Sequence, residues 1–171
     1  FPWSITTHPA GFIFVTEDAF TSKRVQKFTS AGVYVTKWGS PGSGDGQFAA
    51  PRGIAVDDRG YDYVSDTLNY RVQKFTNTGT FVTKWGQNGS GPGQFNLPIG
   101  IAARKGQIYV ADQNNNRVQQ FTTTGVFVTK WGPTGSGSGQ FSSPQDVKAD
   151  NAGSVYIADT SNQRIQRFHA G

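Results

Sequence analysis

The sequence predicts an all-β fold, and three observations support that prediction. The stretch R-V-Q-K-F-T-N-T-G-T-F-V-T-K-W-G, from Arg71 to Gly86, returns nearly unchanged from Arg24 to Gly39 and from Arg117 to Gly132, and its first half returns at 164–168. The arginines that open these copies are 47, 46 and 47 residues apart. Each unit holds short runs rich in Val, Ile, Tyr, Phe and Thr, which are typical of antiparallel strands. Four such strands in each repeat of this length predict a β-propeller with one blade per repeat.

Turn residues mark off the strands within each unit. In the unit 51–86 we expect strands at 53–56, 61–65, 71–75 and 80–85, separated by links that contain Asp or Gly. The units align as 2–39, 51–86, 98–132 and 144–168, so residues 1–171 are expected to form one propeller domain. The fourth unit has no outer strand, and its third strand is therefore expected to present an unpaired edge for assembly. That edge consists of Arg164, Ile165, Gln166, Arg167 and Phe168.

Residue size predicts where each strand lies in the blade. Gly and Ala at 53–55 and 100–102 favour a crowded innermost strand, whereas Trp38, Trp85 and Trp131 end the fourth strands and are expected to fill the gaps between blades. The connecting stretches begin like flexible Gly/Ser linkers. Each ends in Gly-Gln-Phe, at 46–48, 93–95 and 139–141, and we expect these Phe side chains to anchor the loop to the next blade.

Composition limits the classes of function. The chain has 171 residues and a net charge of +5, with no Cys and no Met, and it begins at Phe1, which indicates a processed or excised piece. No apolar run approaches the ~20 residues of a membrane helix, and no signal peptide is apparent. The lack of Cys excludes disulfides and thiolate-bound metal. Richness in Gly, Ser, Thr, Gln and Asn favours an extracellular or cell-surface location. The basic charge is compatible with RNA binding, although most cations recur at repeat positions and would be spread around the molecule.

A long motif then identifies a resemblance. The pattern G-x-G-x-G-Q-F-x-x-P-x-G-I-A-V-D-x-x-G-x-x-Y-V-x-D-T-x-N-x-R-V-Q-K-F resembles the NHL repeat over essentially the whole chain. The resemblance implies a propeller, commonly of six blades, and three known uses: protein binding, RNA binding by the NHL domains of tripartite-motif proteins, and a lyase reaction on peptidyl-hydroxyglycine. The lyases hold zinc with several His, whereas this chain has only His8 and His169, so we expect no metal, no cofactor and no catalytic residue. A calcium site built from scattered Asp and Asn stays open.

Some polar residues recur in every blade and are therefore expected to be structural, because a single active site needs a local exception. These are the pairs Asp66/Arg71, Asp112/Arg117 and Asp159/Arg164, interpreted as ion pairs or loop caps. The first blade departs from the pattern, and its acidic partner is either Glu17 or Asp18.

Ligand contacts are sought where equivalent positions differ between blades. After the proline that opens each innermost strand the residue is Trp3, Arg52, Ile99 or Gln145, and before the repeated arginine it is Lys23, Tyr70, Asn116 or Gln163. Both sets are expected on one face, around the mouth of the central channel. They would suit a peptide, a glycan or a nucleotide, unless they are drifted solvent-exposed loop positions. Asp146 and Lys148 replace the small residues of the fourth innermost strand and either bind a ligand or pair with each other.

These features together predict a non-catalytic binding or assembly module. Two copies would close a ring of about eight blades, or the chain is part of a longer propeller. Protein, peptide and glycan ligands are all compatible with this interpretation. RNA binding is the alternative, a metal-dependent lyase is less favoured, and no membrane insertion is expected.

Overall fold

The computed structural model describes residues 1–169 and contains four antiparallel sheets, here called blades 1 to 4. Residues 170 and 171 of the predicted domain lie outside the described part. Blades 1 and 2 consist of β1 (Pro2–His8), β2 (Phe12–Asp18), β3 (Lys23–Thr29), β4 (Tyr34–Trp38), β5 (Pro51–Val56), β6 (Asp62–Asp66), β7 (Arg71–Phe75) and β8 (Phe81–Trp85). Blades 3 and 4 consist of β9 (Pro98–Arg104), β10 (Gln107–Asp112), β11 (Arg117–Thr122), β12 (Phe127–Trp131), β13 (Pro144–Ala149), β14 (Ser154–Asp159) and β15 (Arg164–His169).

Each blade is a simple meander in which the strands pair in chain order. Blades 1 to 3 have four strands and blade 4 has three, so the predicted all-β propeller with a shorter last blade is confirmed. The helical content of residues 1–169 is limited to three short 3-10 turns, Thr67–Asn69, Gln113–Asn115 and Thr160–Asn162. No helix in this part of the chain has the length and apolar character needed to cross a membrane.

Short-range hydrogen bonds explain why the strands turn where they do. After β5, one carboxylate oxygen of Asp57 accepts the backbone N–H groups of Arg59 and Tyr61, both at 2.9 Å. Gly60 completes this turn at a φ of 81°, a backbone region that glycine enters without a steric penalty. Local side-chain chemistry thus defines the turn, and Gly60 also lies directly against His8 of blade 1.

Aromatic side chains fill the gaps between consecutive blades. Trp38 of blade 1 lies against Phe75 of blade 2, with ring centroids 6.2 Å apart. Three apolar clusters lie in the same places, one between each pair of consecutive blades. Each blade is therefore stabilised largely by its neighbours, as in other repeat proteins. The equivalent pairs in the next two gaps are Trp85 with Phe121 at 5.9 Å and Trp131 with Phe168 at 6.4 Å.

The loops that join the blades are compact. Phe48, Phe95 and Phe141 at their ends are fully buried. The prediction that the first halves of these loops are flexible linkers was wrong. In the first loop Arg71 donates hydrogen bonds to the backbone carbonyls of Ser43 and Gly44, and these bonds give the Gly/Ser stretch a defined conformation. Composition alone indicated a linker because the arginine that holds the loop lies almost 30 residues later in the chain.

The four blades form an open arc around a central channel. Within residues 1–169, β5 packs against both β1 and β9, and β9 packs against β13, whereas no packing of that extent joins β13 to β1. The exposed fractions of equivalent residues show the two open ends. Ile5 of β1 is 64% exposed, whereas Ile54 at the same position of blade 2 is 2% exposed. At the other end Ile165 of β15 is 66% exposed, whereas the equivalent Val118 of blade 3 is fully buried.

Candidate functional site at the mouth of the central channel

The entrances of the four innermost strands line a cavity of about 360 Å³ at one mouth of the channel. The repeat explains the position of this cavity. The residue after the opening proline of each innermost strand lies at the same height along the channel axis in all four blades. Close approach of the strands depends on glycine: a Cβ on Gly53 would collide with the carbonyl oxygen of Ile99, and one on Gly100 would collide with the backbone of Asp146. The lining side chains other than glycine are Trp3, Ser4, Arg52, Ile99, Gln113, Gln145 and Asp146.

Arg52 is the cation of this cavity, and no protein group binds its guanidinium closely. The guanidinium carbon lies 4.4 Å from the centroid of the Trp3 ring, which is a cation–π contact. Its Nε is buried without a hydrogen-bond partner, and the nearest carboxylate oxygen, Oδ2 of Asp18, is 4.0 Å away. A guanidinium stacked on an aromatic face keeps its N–H groups free at its edge, where an anion can be bound in the plane.

The arginines of the repeat differ from Arg52 because they are fully engaged within the protein. Nε of Arg71 donates to Asp66 at 2.9 Å, and its two Nη atoms donate to the backbone carbonyls of Ser43, Gly44 and Gln47. Arg117 and Arg164 make the same contacts one and two blades later. These contacts support a structural role, and they leave fewer cations for binding phosphate.

The partner carboxylates in these pairs are completely buried but experience different environments. For Asp112, burial raises the pKa, and the hydrogen bonds from Asn115, Asn96 and Arg117 oppose this rise only in part. For Asp159, burial also acts to raise the pKa, but the bonds from Ser142, Asn162, Arg164 and Gln166 outweigh it, and the pKa lies below its usual value. Arg164 is more exposed than Arg117, so the network at the open end of the arc is better solvated.

In blade 1 the sequence left open whether Glu17 or Asp18 is the partner of the repeated arginine. Glu17 pairs with the repeated Arg24 at 2.6 Å, whereas Asp18 binds Nζ of Lys23 at 2.9 Å. Asp18 consequently faces Arg52 across the edge of the cavity. The longer loop of blade 1 therefore adds a carboxylate and an ammonium group beside the channel mouth.

The structure separates the two sets of predicted ligand residues. Trp3, Arg52, Ile99 and Gln145 lie together in the cavity wall. The second set lies on the same side of the blades, in the turns between the second and third strands or, for Lys23, at the first position of β3, and it does not line the cavity. Its members are Lys23, which is bonded to Asp18 and to the carbonyl of Ala49, and Tyr70, Asn116 and Gln163, whose φ angles are 54°, 51° and 54°.

Asp146 and Lys148 form a contact with each other. Nζ of Lys148 lies 3.0 Å from Oδ1 of Asp146, and both side chains are about half exposed. Asp146 contributes to the mouth cavity, whereas Lys148 lies beside a smaller space further along the channel. The pairing is the alternative that the sequence left open for these two residues, and it reduces the negative charge at this wall.

Comparison with known families agrees with the blade pattern. A family model described as NHL repeat matches residues 95–121 and 141–168, which lie in blades 3 and 4. The chain is a β-propeller, and its blades 3 and 4 match the NHL repeat. A search of curated proteins gave no match.

Solved structures share the fold of this NHL propeller at low sequence identity. A catalytically inactive virginiamycin B lyase from Staphylococcus aureus, solved with quinupristin, has a TM-score of 0.67 at 21% identity, covering 98% of this chain and 55% of that one. A streptogramin B lyase gives 0.68 at 18%, covering 99% and 55%, and the RRP9 WD40 repeats give 0.66 at 11%, covering 98% and 51%. At these identities the likeness shows the fold alone, and the NHL chain spans about half the length of these proteins.

A metal ion would need several side chains with ligand atoms close together. Among residues 1–169, no three or more His, Cys, Asp or Glu side chains come together in a way that could hold a metal ion. His8 lies at the end of β1, where its Nδ1 accepts the backbone N–H of Ala10 at 2.9 Å. His169 is the last residue of β15. The two histidines are therefore on different blades.

Sequence comparison between blades missed two polar groups that the structure brings out. Gln113 lines the mouth cavity because it begins a 3-10 turn, and it donates to Oγ of Ser143. Asp62 lies between blades 1 and 2, fully buried, with no hydrogen-bond partner for either carboxylate oxygen. Burial raises the pKa of Asp62 to about 8, while Lys27 acts to lower it and Asp57 adds to the rise. The equivalent residues Ile13, Ile108 and Val155 are apolar, and that difference was the available signal.

Proposed function

We propose that this NHL propeller is a non-catalytic binding and assembly module, in which a second copy docks on the two ends of the open arc and the channel mouth forms the ligand face. One observation carries the proposal. The two end faces of the arc have the same kinds of residue as the buried faces between blades, yet Ile5 and Ile165 on them are largely exposed and the other residues are only partly buried.

The free face of blade 4 resembles the face by which blade 3 holds blade 4. In blade 3, Tyr109, Ala111 and Val118 are buried against the next blade. The same positions of blade 4 carry an aromatic, a small and a branched residue, and Ile165 among them is 66% exposed. An apolar residue of this size gains about 1.5–3 kcal/mol when it is fully buried, which favours docking. The three residues of blade 4 are Tyr156, Ala158 and Ile165.

The free face of blade 1 resembles the opposite side of the same interface. In blade 2 the side that faces blade 1 consists of Ile54, Val64 and Phe75, all essentially buried. Blade 1 has branched and aromatic residues at these positions, and they have no blade in front of them within residues 1–169. They are Ile5, Val15 and Phe28.

Polar groups at the two ends are also complementary. Between blades 2 and 3, the hydroxyl of Thr67 donates to the carbonyl of Pro98 at 2.7 Å. Thr160 occupies the position of Thr67 in blade 4, and Pro2 occupies the position of Pro98 in blade 1. A second copy seated as an additional blade would therefore restore this hydrogen bond, with Thr160 donating to Pro2 of the second copy.

A second polar contact follows the same logic. Nζ of Lys27 donates to the carbonyl of Asn77 in blade 2 at 2.9 Å. Arg167 occupies the position of Lys27 in blade 4, and Ser30 occupies the position of Asn77 in blade 1. Because each copy has one end of either kind, two copies use both ends at once and close a symmetric ring of eight blades.

The proposal is tested by placing a charge on one end face. Ile165→Asp should dissociate the dimer, because the carboxylate would be buried without a partner. Val82→Asp is the matched control, since Val82 is 45% exposed on the outer strand of blade 2 and lies on neither end face. Sedimentation velocity of the three proteins gives the result. A dimeric wild type with a monomeric Ile165→Asp variant supports the proposal. A monomeric wild type, which would leave the ends to further blades of a longer chain, overturns it.

A further inference from the structure

We infer that the channel-mouth cavity binds a carboxylate that carries a flat apolar group, with Arg52 as the anchor and Trp3 as the apolar wall. The inference rests on the ligand face of the proposed function and names the class of ligand that the face takes. It is independent of whether two copies close the ring.

The Arg52 side chain has unused hydrogen-bonding capacity at a well-defined place. Its own carbonyl accepts the hydroxyl of Thr16 at 2.6 Å, which ties the backbone of β5 to blade 1 and sets where the side chain begins. Stacking on Trp3 then orients the guanidinium plane. In contrast to the repeat arginines, it makes no hydrogen bond with a protein group in the described residues, and its Nε is buried. The accessible part of the guanidinium is therefore its two Nη groups, and a ligand in the cavity that accepts from them adds charge-assisted hydrogen bonds without displacing a protein partner.

The charges around the cavity favour an anion. Asp18, the carboxylate nearest to Arg52, is shared with Lys23, whose Nζ is 2.9 Å away. Across the cavity, Asp146 is occupied by Lys148 and by the backbone N–H of Val147. The cavity edge therefore has three cationic side chains and two carboxylates. Each carboxylate is already paired with a lysine. The remaining positive charge belongs to Arg52.

The shape of the site favours a planar carboxylate over other anions. The guanidinium fork matches two carboxylate oxygens, and such bidentate pairs are among the stronger hydrogen bonds in proteins. Beside it Trp3 is 51% exposed, and Ile99 is a second apolar side chain of the cavity wall. A volume of about 360 Å³ admits an aromatic acid or the tip of an acidic peptide. An inorganic oxyanion would leave the apolar wall without a contact.

The test uses benzoate and benzamide, which have the same shape and differ in charge. Each is titrated into the ¹⁵N-labelled chain while the Nε–H signal of Arg52 and the indole N–H signal of Trp3 are followed by NMR. Benzoate should shift both signals to saturation, and benzamide should bind about tenfold more weakly or less, since the charge-assisted bonds are lost. Two further ligands identify the source: acetyl-Phe-Glu-amide tests a peptide carboxylate, and inorganic phosphate tests an oxyanion without an apolar part.

Matched variants assign the effect to the proposed residue. Arg52→Gln should weaken benzoate binding about tenfold or more, and Arg52→Lys should weaken it too, because the charge remains but the fork is lost. Arg59→Gln is the control, since Arg59 is an exposed arginine of the same blade at the opposite end of β5. Absence of a saturable shift with benzoate, equal binding by Arg52→Gln, or phosphate binding as tight as benzoate binding would overturn the inference.

The same samples keep this inference separate from the proposed assembly. Sedimentation of the Arg52→Gln variant should match the wild type, since Arg52 lies on neither end face. A monomer that still binds benzoate would overturn the assembly proposal alone. A dimer that does not bind benzoate would overturn the ligand inference alone.

Discussion

The indole of Trp38 in blade 1 lies directly over Gly79 in blade 2, so that a Cβ on this glycine would come within 2.7 Å of the ring. Gly79 also has a φ of 87°, which few other residues tolerate. The same arrangement joins Trp85 to Gly125 one blade later. In blades 2 and 3 the hairpin between the third and fourth strands is thus shaped to accept the tryptophan of the preceding blade.

Gly79→Ala should destabilise the protein by about 2–4 kcal/mol, because the cost of the left-handed backbone and the cost of the collision with Trp38 add up. Gly32→Ala is a close control: Gly32 holds the same position in blade 1, with a φ of 80°, but no atom lies near its would-be Cβ. That variant should lose only about 1 kcal/mol. Urea unfolding measures both. Equal losses would mean that Trp38 does not press on the hairpin as described.

Arg117→Lys should lower the free energy of unfolding by about 2–4 kcal/mol, because lysine cannot reach Asp112 and the three loop carbonyls together, and the buried carboxylate loses its partner. The comparison is Arg104→Lys, whose pair with Asp58 is solvent-exposed. An exposed pair contributes about 0–1 kcal/mol, so this variant should unfold nearly like the wild type. A small effect at Arg117 would contradict the structural role of the repeated arginine.

Asp62 should make the protein less stable as the pH rises from 5 to 8. Its pKa in the folded state is raised to about 8 by burial, so between the unfolded value and 8 the folded state holds a proton that the unfolded state has lost. Stability therefore falls with pH in that window, by up to about 1.4 kcal/mol per pH unit, and levels off above it. Asp62→Asn should remove this slope.

The control for the pH series is Asp45→Asn, since Asp45 is half exposed and pairs with Lys84 at the surface. Thermal unfolding of the three proteins at several pH values gives the comparison. If Asp62→Asn retains the wild-type slope, the carboxylate is not the group that takes up the proton.

The free edge of β15 should accept a peptide with the sequence of residues 126–132, V-F-V-T-K-W-G. In blade 3 this segment pairs with β11, with Val118 opposite Trp131 and Phe121 opposite Phe127. β15 has Ile165 and Phe168 at the same places. Hydrogen exchange of residues 164–169 should slow on adding the peptide, whereas a version with Pro in place of Thr should have little effect, because Pro removes a ladder donor. Unchanged exchange with the parent peptide would show that the edge does not accept a strand.

The sequence repeat made the strands of each blade predictable, but it did not predict which groups each arginine side chain contacts. The period, the hairpin glycines and the aromatic residues at Trp38 or Trp85 together indicate four antiparallel strands, because they depend on local pattern. The comparison of blades separated Arg71, which recurs, from Arg52, which does not, but it did not give the partners of either guanidinium. The guanidinium of Arg71 is bound by carbonyls of a loop almost 30 residues earlier in the chain, whereas that of Arg52 lies over the ring of Trp3.

The candidate site was predictable at the level of position and not of contacts. Comparing blades singled out Trp3, Arg52, Ile99 and Gln145, which line the cavity, since a propeller brings equivalent positions around one axis. The same comparison placed Tyr70 beside them, although its left-handed backbone belongs to a turn that keeps it out of the wall. Such turns depend on φ and ψ angles that residue identity does not specify.

The most direct test of the open arc and its closure is the mass of the purified chain in solution, measured by light scattering across a concentration series. One copy has a mass of 18.5 kDa. The account predicts that the mass rises with concentration to twice that value and stays there, because two copies satisfy all four end faces. A constant monomer mass, or a mass that keeps rising without a plateau, would contradict closure by a second copy.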